Sequence, residues 1–283
     1  MKTGLAFAGG GVPGIAAVGA ILALEEAGIQ VTHVAGASSG AMVAALYAYG
    51  YSAAELRSVV PFLNRRYLDV DWKSILYKIL FLRPKWEGWM KGDRLAWLMS
   101  KLTDGQSLAA FKIPCGIVST DMNEGVPIVY SPQPIEGYRT VQDLTIADAV
   151  RASFSIPVLF RPVTHHGRSM IDGGVTANCP VRICKAMGAR RVIAIDPITP
   201  IANVAAPPTT IFQVMHKVIY LNLKLQMELE HRHADVSVYP DTGPVGAFDF
   251  HKADRCIEAG RAAVASRLNE IVKMLEADVE GDV

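Results

Sequence analysis

Residues 3–40 read TGLAFAGGGVPGIAAVGAILALEEAGIQVTHVAGASSG, and this stretch decides the fold class. Thr3–Ala8 is a short apolar run that predicts a strand, and Gly14–Ala27 has the length of a helix that ends before a capping glycine. Val31–Ala35 is rich in β-branched residues and predicts a buried parallel strand, whereas Ala41–Tyr49 is apolar all round and predicts a buried helix. Two successive strand–helix units predict an α/β fold with a parallel-rich central sheet and right-handed crossovers.

The composition limits the size and the partners of the protein. Its 283 residues are enough for one large domain with a sizeable core, and we expect a single domain over 1–283. Hydrophobic residues make up 51% of the chain and the mean hydropathy is +0.24, so apolar side chains fill a large core, a lipid-facing surface, or both. A net charge of +1 provides no field that would gather nucleic acid, and we expect no nucleic-acid partner.

Cysteine usage and the uncharged stretches bear on location. The four cysteines show neither paired CxxC spacing nor a Cys/His ligand pattern, which is typical of reduced thiols in a cytosolic protein. Residues 3–24 carry no charge, but glycines and Pro13 interrupt them well before the roughly 20 apolar residues of a spanning helix. We therefore expect a cytoplasmic chain that does not cross a membrane and that touches one peripherally.

The remainder of the chain continues the mixed pattern. Ile113–Thr120 and Val126–Tyr130 predict a hairpin, Val158–Val163 and Ser169–Ile171 predict strands, and the Pro-rich stretch 197–208 predicts a loop. Two long helices are predicted, each with one apolar face. These faces consist of Ile211, Met215, Val218, Leu225 and Leu229 in the first helix, and of Ile257, Val264, Leu268, Ile271 and Leu275 in the second.

Residues 61–100 differ in composition from their surroundings. All four tryptophans fall there among many lysines and arginines: Trp72, Trp86, Trp89 and Trp97. Indole rings interleaved with cations suit the headgroup region of a membrane, which predicts a cap or lipid-access insertion. The alternative is that most of these tryptophans belong to the core.

A glycine-rich turn, Gly9–Gly14, follows the first predicted strand and opens a helix. Its spacing also satisfies the G-x-G-x-x-G pattern of dinucleotide sites. Such a site needs an acidic residue at the end of the second strand, and that strand ends Val34-Ala35-Gly36-Ala37-Ser38 without one. Glycine amides at a helix N-terminus can instead converge on a developing oxyanion, or simply form a tight turn.

The second motif is Gly36-Ala37-Ser38-Ser39-Gly40, which matches G-x-S-x-G. In this motif the middle serine occupies a sharp strand-to-helix turn with its hydroxyl exposed to substrate. The spacing selects Ser38 as the nucleophile, with Gly36 and Gly40 providing room for the turn. A bare pentapeptide of this kind is also common in loops, and its position between a strand and an apolar helix is what favours catalysis.

No histidine stands out as the partner of Ser38. His165 and His166 precede a glycine in a predicted turn, and His231 and His233 flank a predicted helix end, where a solvated terminus is more typical than a metal site. Asp172-Gly173-Gly174 instead places an acid at a strand end before two glycines, an arrangement that a simple Asp-Gly turn also produces.

Together the three motifs resemble the patatin-like phospholipase family. Members share an early Gly-rich oxyanion loop, a G-x-S-x-G elbow and a later D-G-G or D-G-A motif, and Arg151–Pro157 is similar to the family's stretch before the dyad aspartate. The resemblance covers residues 3 to 196 and implies a three-layer α/β sandwich with helices on both faces of the sheet. Pro13 departs from the pattern, since the family usually has Arg or Lys there.

The resemblance also implies an activity. It makes the chain a serine lipid acyl hydrolase with Ser38 and Asp172 as a catalytic dyad, with the amides of Gly9, Gly10 and Gly11 as oxyanion hole, and with support from Gly173 and Gly174. The substrate would be a phospholipid or another acyl-ester lipid, and we expect neither a cofactor nor a catalytic metal. An acyltransferase with the same dyad and a non-catalytic lipid-binding or regulatory protein remain alternatives.

Overall fold

The computed structural model describes residues 2–64, 66, 68–71, 88–198 and 207–280. Within these ranges the strands form one sheet of nine. The strands are β1 Thr3–Phe7, β2 His33–Ala37, β3 Cys115–Asp121, β4 Val126–Tyr130, β5 Arg139–Val141, β6 Val163–His165, β7 Arg168–Asp172, β8 Arg191–Ile195 and β9 Val236–Val238. The helices are α1 Ala16–Glu26, α2 Ser39–Tyr49, α3 Ala53–Val59, α4 Asp93–Leu102, α5 Ile146–Ser153, α6 Gly174–Ala177, α7 Val181–Ala186, α8 Ile211–His231 and α9 Ala253–Glu280.

The sheet has the order β5-β4-β3-β2-β1-β8-β9, with β7 also paired to β3 and β6 paired to β7. The central strands β3, β2, β1, β8 and β9 run parallel, while β3 pairs antiparallel with both β4 and β7. This confirms the predicted α/β class and the hairpin between β3 and β4. Because β1 is flanked by β2 on one side and by β8 on the other, the chain changes direction across the sheet at β1, which is where α/β folds bind ligands.

Helices cover both faces of the sheet, as the three-layer expectation requires. The alternation along β1 shows the two faces: Leu5 and Phe7 belong to one buried cluster, Ala6 and Ala8 to the other. Residues of α1, α2, α3 and α9 pack in the first cluster, and residues of α6, α7 and α8 pack in the second. The smaller side chains on the second face let α7 lie close to the strands.

The first and last described helices cross at two glycines. A Cβ built on Gly19 would lie 1.7 Å from the Ile257 carbonyl oxygen, and one built on Gly260 would lie 1.9 Å from that of Ala16. Only glycine permits so close a backbone approach. The buried residues of α9 include Ile257, Val264 and Ile271, so the apolar face predicted for this helix is confirmed.

Helix α8 exists as predicted, and a reciprocal capping box between Thr210 and Gln213 begins it. Its apolar face points away from the core, however. Ile211, Val218, Leu225 and Leu229 are exposed, whereas a long amphipathic helix normally buries that face. The 3.6-residue spacing of apolar residues predicts which side of α8 is apolar, but it does not show whether the core covers that side.

Part of the segment 61–100 is described. Trp72 and Trp86 lie outside the described residues, while Trp89 and Trp97 are exposed and therefore not core residues. Asp69 caps the N-terminus of α4 from a distant part of the chain. Its carboxylate accepts the amides of Gly92 at 2.6 Å and of Asp93 at 2.9 Å. A cap or lipid-access role for 61–100 stays a prediction.

Two further details concern chain geometry. The strand predicted over Val158–Val163 is wrong except for its last residue: β6 is Val163–His165, and Val158 adopts a left-handed φ of 71° in a turn. None of the helices in the described ranges combines the length and the apolar character needed to cross a bilayer.

Candidate active site

Ser38 forms a strained turn between β2 and α2. Its φ of 53° and ψ of −123° are unusual for a residue with a side chain, and such strain persists only where the surroundings enforce it. The turn fits because Gly40 lies against β1, where a Cβ would come within 2.4 Å of the Phe7 carbonyl oxygen. A Cβ on Gly36 would in turn meet the Gly40 carbonyl oxygen at 2.4 Å. A strained strand-to-helix turn packed by small residues is typical of nucleophile elbows.

Ser153 holds this turn in place. Its hydroxyl accepts the Ser38 amide at 2.9 Å and donates to the Val118 carbonyl at 2.5 Å. Its own carbonyl accepts the Gly173 amide at 3.3 Å. The sequence analysis placed Ser153 in a family-like stretch without giving it a role, because no local pattern reveals a contact across 115 positions.

Ser39, the neighbouring serine, points elsewhere. A Cβ on Gly14 would lie 2.2 Å from Ser39 Oγ, so this hydroxyl packs against the turn that precedes α1. It is buried and has no hydrogen-bond partner among the described residues. Ser38 is therefore the better placed of the two serines to act on a substrate.

Asp172 ends β7 beside the elbow. Its amide donates to the Ser155 carbonyl at 2.9 Å, and its Oδ1 accepts the Gly174 amide at 2.8 Å. The other oxygen, Oδ2, is buried and makes no hydrogen bond of ordinary geometry to any residue in the described ranges. A Cβ on Gly173 would lie 3.2 Å from that of Ala37, which shows how closely the two motifs approach.

The environment of Asp172 changes its acidity. Burial raises the pKa of this carboxyl from 3.8 to about 6, and the Ser38 hydroxyl and the Gly174 amide partly offset the rise by stabilising the carboxylate. A carboxylate with a pKa near 6 is a much better base at neutral pH than an ordinary aspartate. Such a shift in a buried acid beside a strained serine is typical of catalytic sites.

The glycine loop lies over the same site. The Gly9 amide donates to both the carbonyl and Oδ1 of Asn178, at 3.3 and 3.2 Å, so it is already occupied. The amides of Gly10 and Gly11 have no acceptor among the described residues. Gly11 has a φ of 69°, and a Cβ there would lie 2.4 Å from the Ala247 carbonyl oxygen. Of the three glycines predicted for the oxyanion hole, only Gly10 and Gly11 retain free donors within that part of the chain.

Arg151 supports residues 151–155, the stretch that contacts both Ser38 and Asp172. Its buried guanidinium donates to Ser155 Oγ at 2.7 Å and to the carbonyls of Arg161 and Lys91. Since Ser155 also accepts the Asp172 amide, Arg151 fixes the backbone that carries the acid. The sequence analysis placed Arg151 in the family-like stretch without giving it a role, and it did not single out Asn178, whose partner Gly9 is 169 positions away in the chain.

The histidines whose contacts the structure defines bind groups other than Ser38 and Asp172. His33 contacts Thr32, His165 and His166 face Asp143, and His231 bonds Asp196 at 2.8 Å and Ser237 at 2.9 Å. His231 is thus nearly buried and paired, which corrects the expectation of a solvated helix end. The turn predicted at His165 and His166 is confirmed, because these residues join β6 to β7.

One group of side chains has the spacing of metal ligands. The ligand atoms of Asp143, His165 and His166 lie within 4.8 Å of one another. This group lies at the turn between β6 and β7, at the opposite end of β7 from Asp172, and two of its three members are exposed. Exposed groups of this kind are common without a metal, and the group plays no part in the dyad.

Comparison with known proteins agrees with this geometry. The sequence profile of the patatin-like phospholipase family matches residues 5–185. The chain is 32% identical over 204 residues to the uncharacterized protein YqhO of Bacillus subtilis, covering 67% of this chain and 69% of that protein. It is 28% identical over 194 residues to human patatin-like phospholipase domain-containing protein 6, covering 68% of this chain but only 13% of that much longer protein.

Solved structures show the same fold. VipD from Legionella pneumophila superposes with a TM-score of 0.59 at 17% identity, covering 95% of this chain and 67% of VipD. Human GIVD cytosolic phospholipase A2 superposes with a TM-score of 0.54 at 12% identity, covering 99% of this chain and 63% of that one. The chain therefore belongs to the patatin-like phospholipase family, whose membership supports a lipid hydrolase activity.

Proposed function

We propose that this protein hydrolyses the acyl ester bond of a phospholipid, a lysophospholipid or a related lipid, with Ser38 as nucleophile and Asp172 as general base. The observation that carries the proposal is the pairing of a strained serine at the end of β2 with a buried carboxyl whose pKa is raised to about 6. Strain at Ser38 presents its hydroxyl, and the raised pKa lets the neighbouring carboxylate accept the proton at neutral pH.

The reaction proceeds in two halves. In the first, Ser38 Oγ attacks the ester carbonyl carbon while its proton passes to Asp172, and the protonated acid then gives that proton to the leaving alcohol. The result is an acyl-serine and a free alcohol. In the second half Asp172 takes a proton from water, the resulting hydroxide attacks the acyl-serine, and the fatty acid leaves as Ser38 regains its proton.

The tetrahedral oxyanion of each half needs hydrogen-bond donors. The amides of Gly10 and Gly11 suit this role, because they are unused by the described residues and sit where the first helical turn begins. Gly9 has a different role in this proposal: its bond to Asn178 anchors the start of the loop. Pro13 lacks an amide proton, but it occupies the first turn, where no donor is lost.

Lipids with long acyl chains reside in membranes, so this function also requires peripheral contact with a lipid surface. Exposed aromatic residues of the segment 61–100, Trp89 and Trp97, are compatible with such contact. The expected partners are therefore a membrane and its acyl-ester lipids.

A fluorophosphonate probe tests the assignment of the nucleophile. The probe should label the wild-type protein on one serine, and peptide mapping should identify Ser38. Ser38→Ala should abolish both labelling and hydrolysis of a soluble p-nitrophenyl ester, with an unchanged melting temperature. The matched control is Ser39→Ala, which should keep both, because its hydroxyl faces away from the site. Retained labelling in the Ser38→Ala variant would refute the proposal.

The same assay separates the alternatives. A non-catalytic lipid-binding protein would bind vesicles without releasing fatty acid or reacting with the probe. An acyltransferase would react with the probe but would pass the acyl group to an added lysophospholipid faster than to water. Equal release of fatty acid and alcohol, unaffected by a lysophospholipid acceptor, is the result that hydrolysis predicts.

A further inference from the structure

Helix α8 carries a continuous row of aliphatic side chains on its outer side, here called the α8 stripe. Its six members are 44–72% exposed: Ile211, Val214, Val218, Leu221, Leu225 and Leu229. Their spacing of three or four residues places them on one face over a length of about 27 Å. Single exposed aliphatic residues are ordinary, but an aligned row of six marks a surface that something apolar covers.

Among the described side chains of α8, three polar ones face the protein and bind it. The amides of Asn222 and Gln226 donate to the Val175 carbonyl, and buried Glu230 accepts from Arg182 Nε at 2.7 Å. Met227 is a buried apolar residue of the same helix. The described contacts thus attach the C-terminal half of α8 largely through polar groups, and the exposed stripe contributes little to the stability of the isolated chain.

The stripe lies beside the candidate active site. Val175, which α8 holds, comes three residues after Asp172. Asn178 links the two regions directly, because its Oδ1 accepts the Gly9 amide and its Nδ2 donates to Met227 Sδ at 3.3 Å. If an external apolar surface binds the stripe, the glycine loop and the proposed dyad therefore lie close to that external surface.

The charges along the helix indicate the nature of that surface. Over the first five members of the stripe the charged side chains are Lys217 and Lys224, and the first acid along the helix is exposed Glu228, which lies 4.0 Å from Lys224. An apolar face flanked by cations is the pattern of helices that lie in the plane of a membrane containing anionic lipid. Pairing the stripe with that of a second copy would instead gather four lysines and only two Glu228 carboxylates at one seam, which leaves an excess of positive charge between the copies.

We propose that the α8 stripe docks the protein on phospholipid membranes, with α8 lying in the interfacial plane beside the mouth of the active site. This inference rests on the proposed function, since it names the surface through which the hydrolase would meet its substrate. It assigns the contact to α8, which the sequence pattern alone would have placed against the core.

Vesicle sedimentation tests the proposal. All proteins carry Ser38→Ala, so that hydrolysis cannot change the lipid during the measurement. The stripe variant Val218→Gln, Leu221→Gln, Leu225→Gln should bind phosphatidylcholine–phosphatidylglycerol vesicles on the order of a hundredfold more weakly than its parent. The matched control is Met122→Gln, since Met122 is nearly as exposed as Leu225 but lies in the turn between β3 and β4, outside both α8 and the segment 61–100, and it should bind like the parent.

A second pair of measurements addresses charge and position. Lys217→Gln with Lys224→Gln should weaken binding to vesicles containing phosphatidylglycerol and leave binding to pure phosphatidylcholine nearly unchanged. All four native cysteines are buried, so Val218→Cys can be labelled selectively with an environment-sensitive dye. The dye emission should shift to the blue when vesicles are added.

The outcomes are distinguishable. Unchanged vesicle binding by the stripe variant overturns the proposal, as does a dye at position 218 that stays in water. A stripe variant that turns from dimer to monomer in sedimentation velocity, with vesicle binding intact, assigns the stripe to a second copy and also overturns it. Hydrolysis of a soluble ester, measured with Ser38 restored, tests the function separately: the stripe variant should retain it, and failure of the wild type would refute the hydrolase and not the docking surface.

Discussion

The Ser38 amide donates to Ser153 Oγ at 2.9 Å, across 115 positions of sequence. The same Ser153 accepts the Gly173 amide at its carbonyl, next to the dyad acid. One residue thus positions the backbone beside both Ser38 and Asp172, and the distance between the proposed nucleophile and its proposed base depends on it.

Replacement of Ser153 by alanine should therefore lower activity more than a comparable core mutation. It leaves the buried amide of Ser38 without an acceptor, which costs about 1–3 kcal/mol of stability. It also frees the strained elbow to relax, so kcat on a soluble ester should fall by at least about tenfold while KM changes little. Urea unfolding and steady-state kinetics measure the two effects.

The control for this variant is Ser131→Ala, which removes the hydroxyl of a buried serine after β4. It should leave kcat unchanged. If Ser153→Ala lost stability but kept the full kcat, Ser153 would be a structural residue and not a positioning one.

Asp172→Asn should make the protein more stable as well as inactive. The folded-state pKa of Asp172 is raised, so folding binds its proton more tightly, and the free energy of unfolding decreases as pH rises from about 4 to about 6. A shift from 3.8 to about 6 corresponds to up to about 3 kcal/mol lost at neutral pH, and asparagine avoids this loss.

Chemical unfolding at about pH 4 and about pH 7.5 measures this effect. The stability gain of Asp172→Asn should be present at the higher pH and nearly absent at the lower one. If Asp172→Asn were equally destabilised at both pH values, the ionised Asp172 carboxylate would not destabilise the folded state.

The pH dependence of hydrolysis should report the same group. Asp172 acts as a base only when ionised, so kcat/KM should rise with pH, reach half its maximum near pH 6 and be flat above about pH 7. Release of alcohol from a soluble ester, followed by chromatography, avoids pH-sensitive dyes. A profile already flat from pH 5 upward would indicate a base with an ordinary carboxyl pKa.

The two candidate oxyanion glycines should respond differently to alanine. A Cβ at Gly10 meets only the end of the Ile198 side chain, at 2.7 Å, which can move, although φ is 145° there. A Cβ at Gly11 meets the Ala247 backbone at 2.4 Å. Gly10→Ala should thus cost chiefly activity, up to roughly 3–4 kcal/mol of transition-state stabilisation if its amide is re-aimed. Gly11→Ala should also lower the melting temperature.

Adding Ile198→Ala to Gly10→Ala provides the control, because it removes the side chain that the new Cβ meets. The double variant should be as slow as Gly10→Ala alone. Recovery of the full rate would show that crowding, and not the amide of Gly10, limits the variant.

The parts of this site that the sequence predicts are those with local causes. Ser38 and Asp172 each sit in a short motif whose glycines follow from backbone crowding, so the pentapeptide and the D-G-G triplet together predict both residues as candidates, and the structure places the two motifs side by side. Ser153, Asn178 and Arg151 have no such pattern. Their roles depend on which backbone atoms the sheet order brings near them, and that is a property of the tertiary structure.

Helix α8 illustrates a second limit. Period 3.6 shows that one face is apolar, but not whether the core or another surface covers it. Here Gln226 and Glu230 find partners in Val175 and Arg182, which turns the polar side inward and leaves the aliphatic side free. Polar side chains that find hydrogen-bond or ion-pair partners in the protein can therefore orient a helix against its apolar periodicity.

The crossing of α1 and α9 at Gly19 and Gly260 bears on how the protein is made. During synthesis on the ribosome, α1 emerges more than two hundred residues before α9, the helix that covers it. The apolar surface of α1 therefore stays uncovered until α9 has been made. A nascent chain halted before Ala253 should be held by chaperones or degraded, whereas one that includes α9 should be released as a folded enzyme. We therefore expect α1 to complete its packing only after α9 has been synthesised.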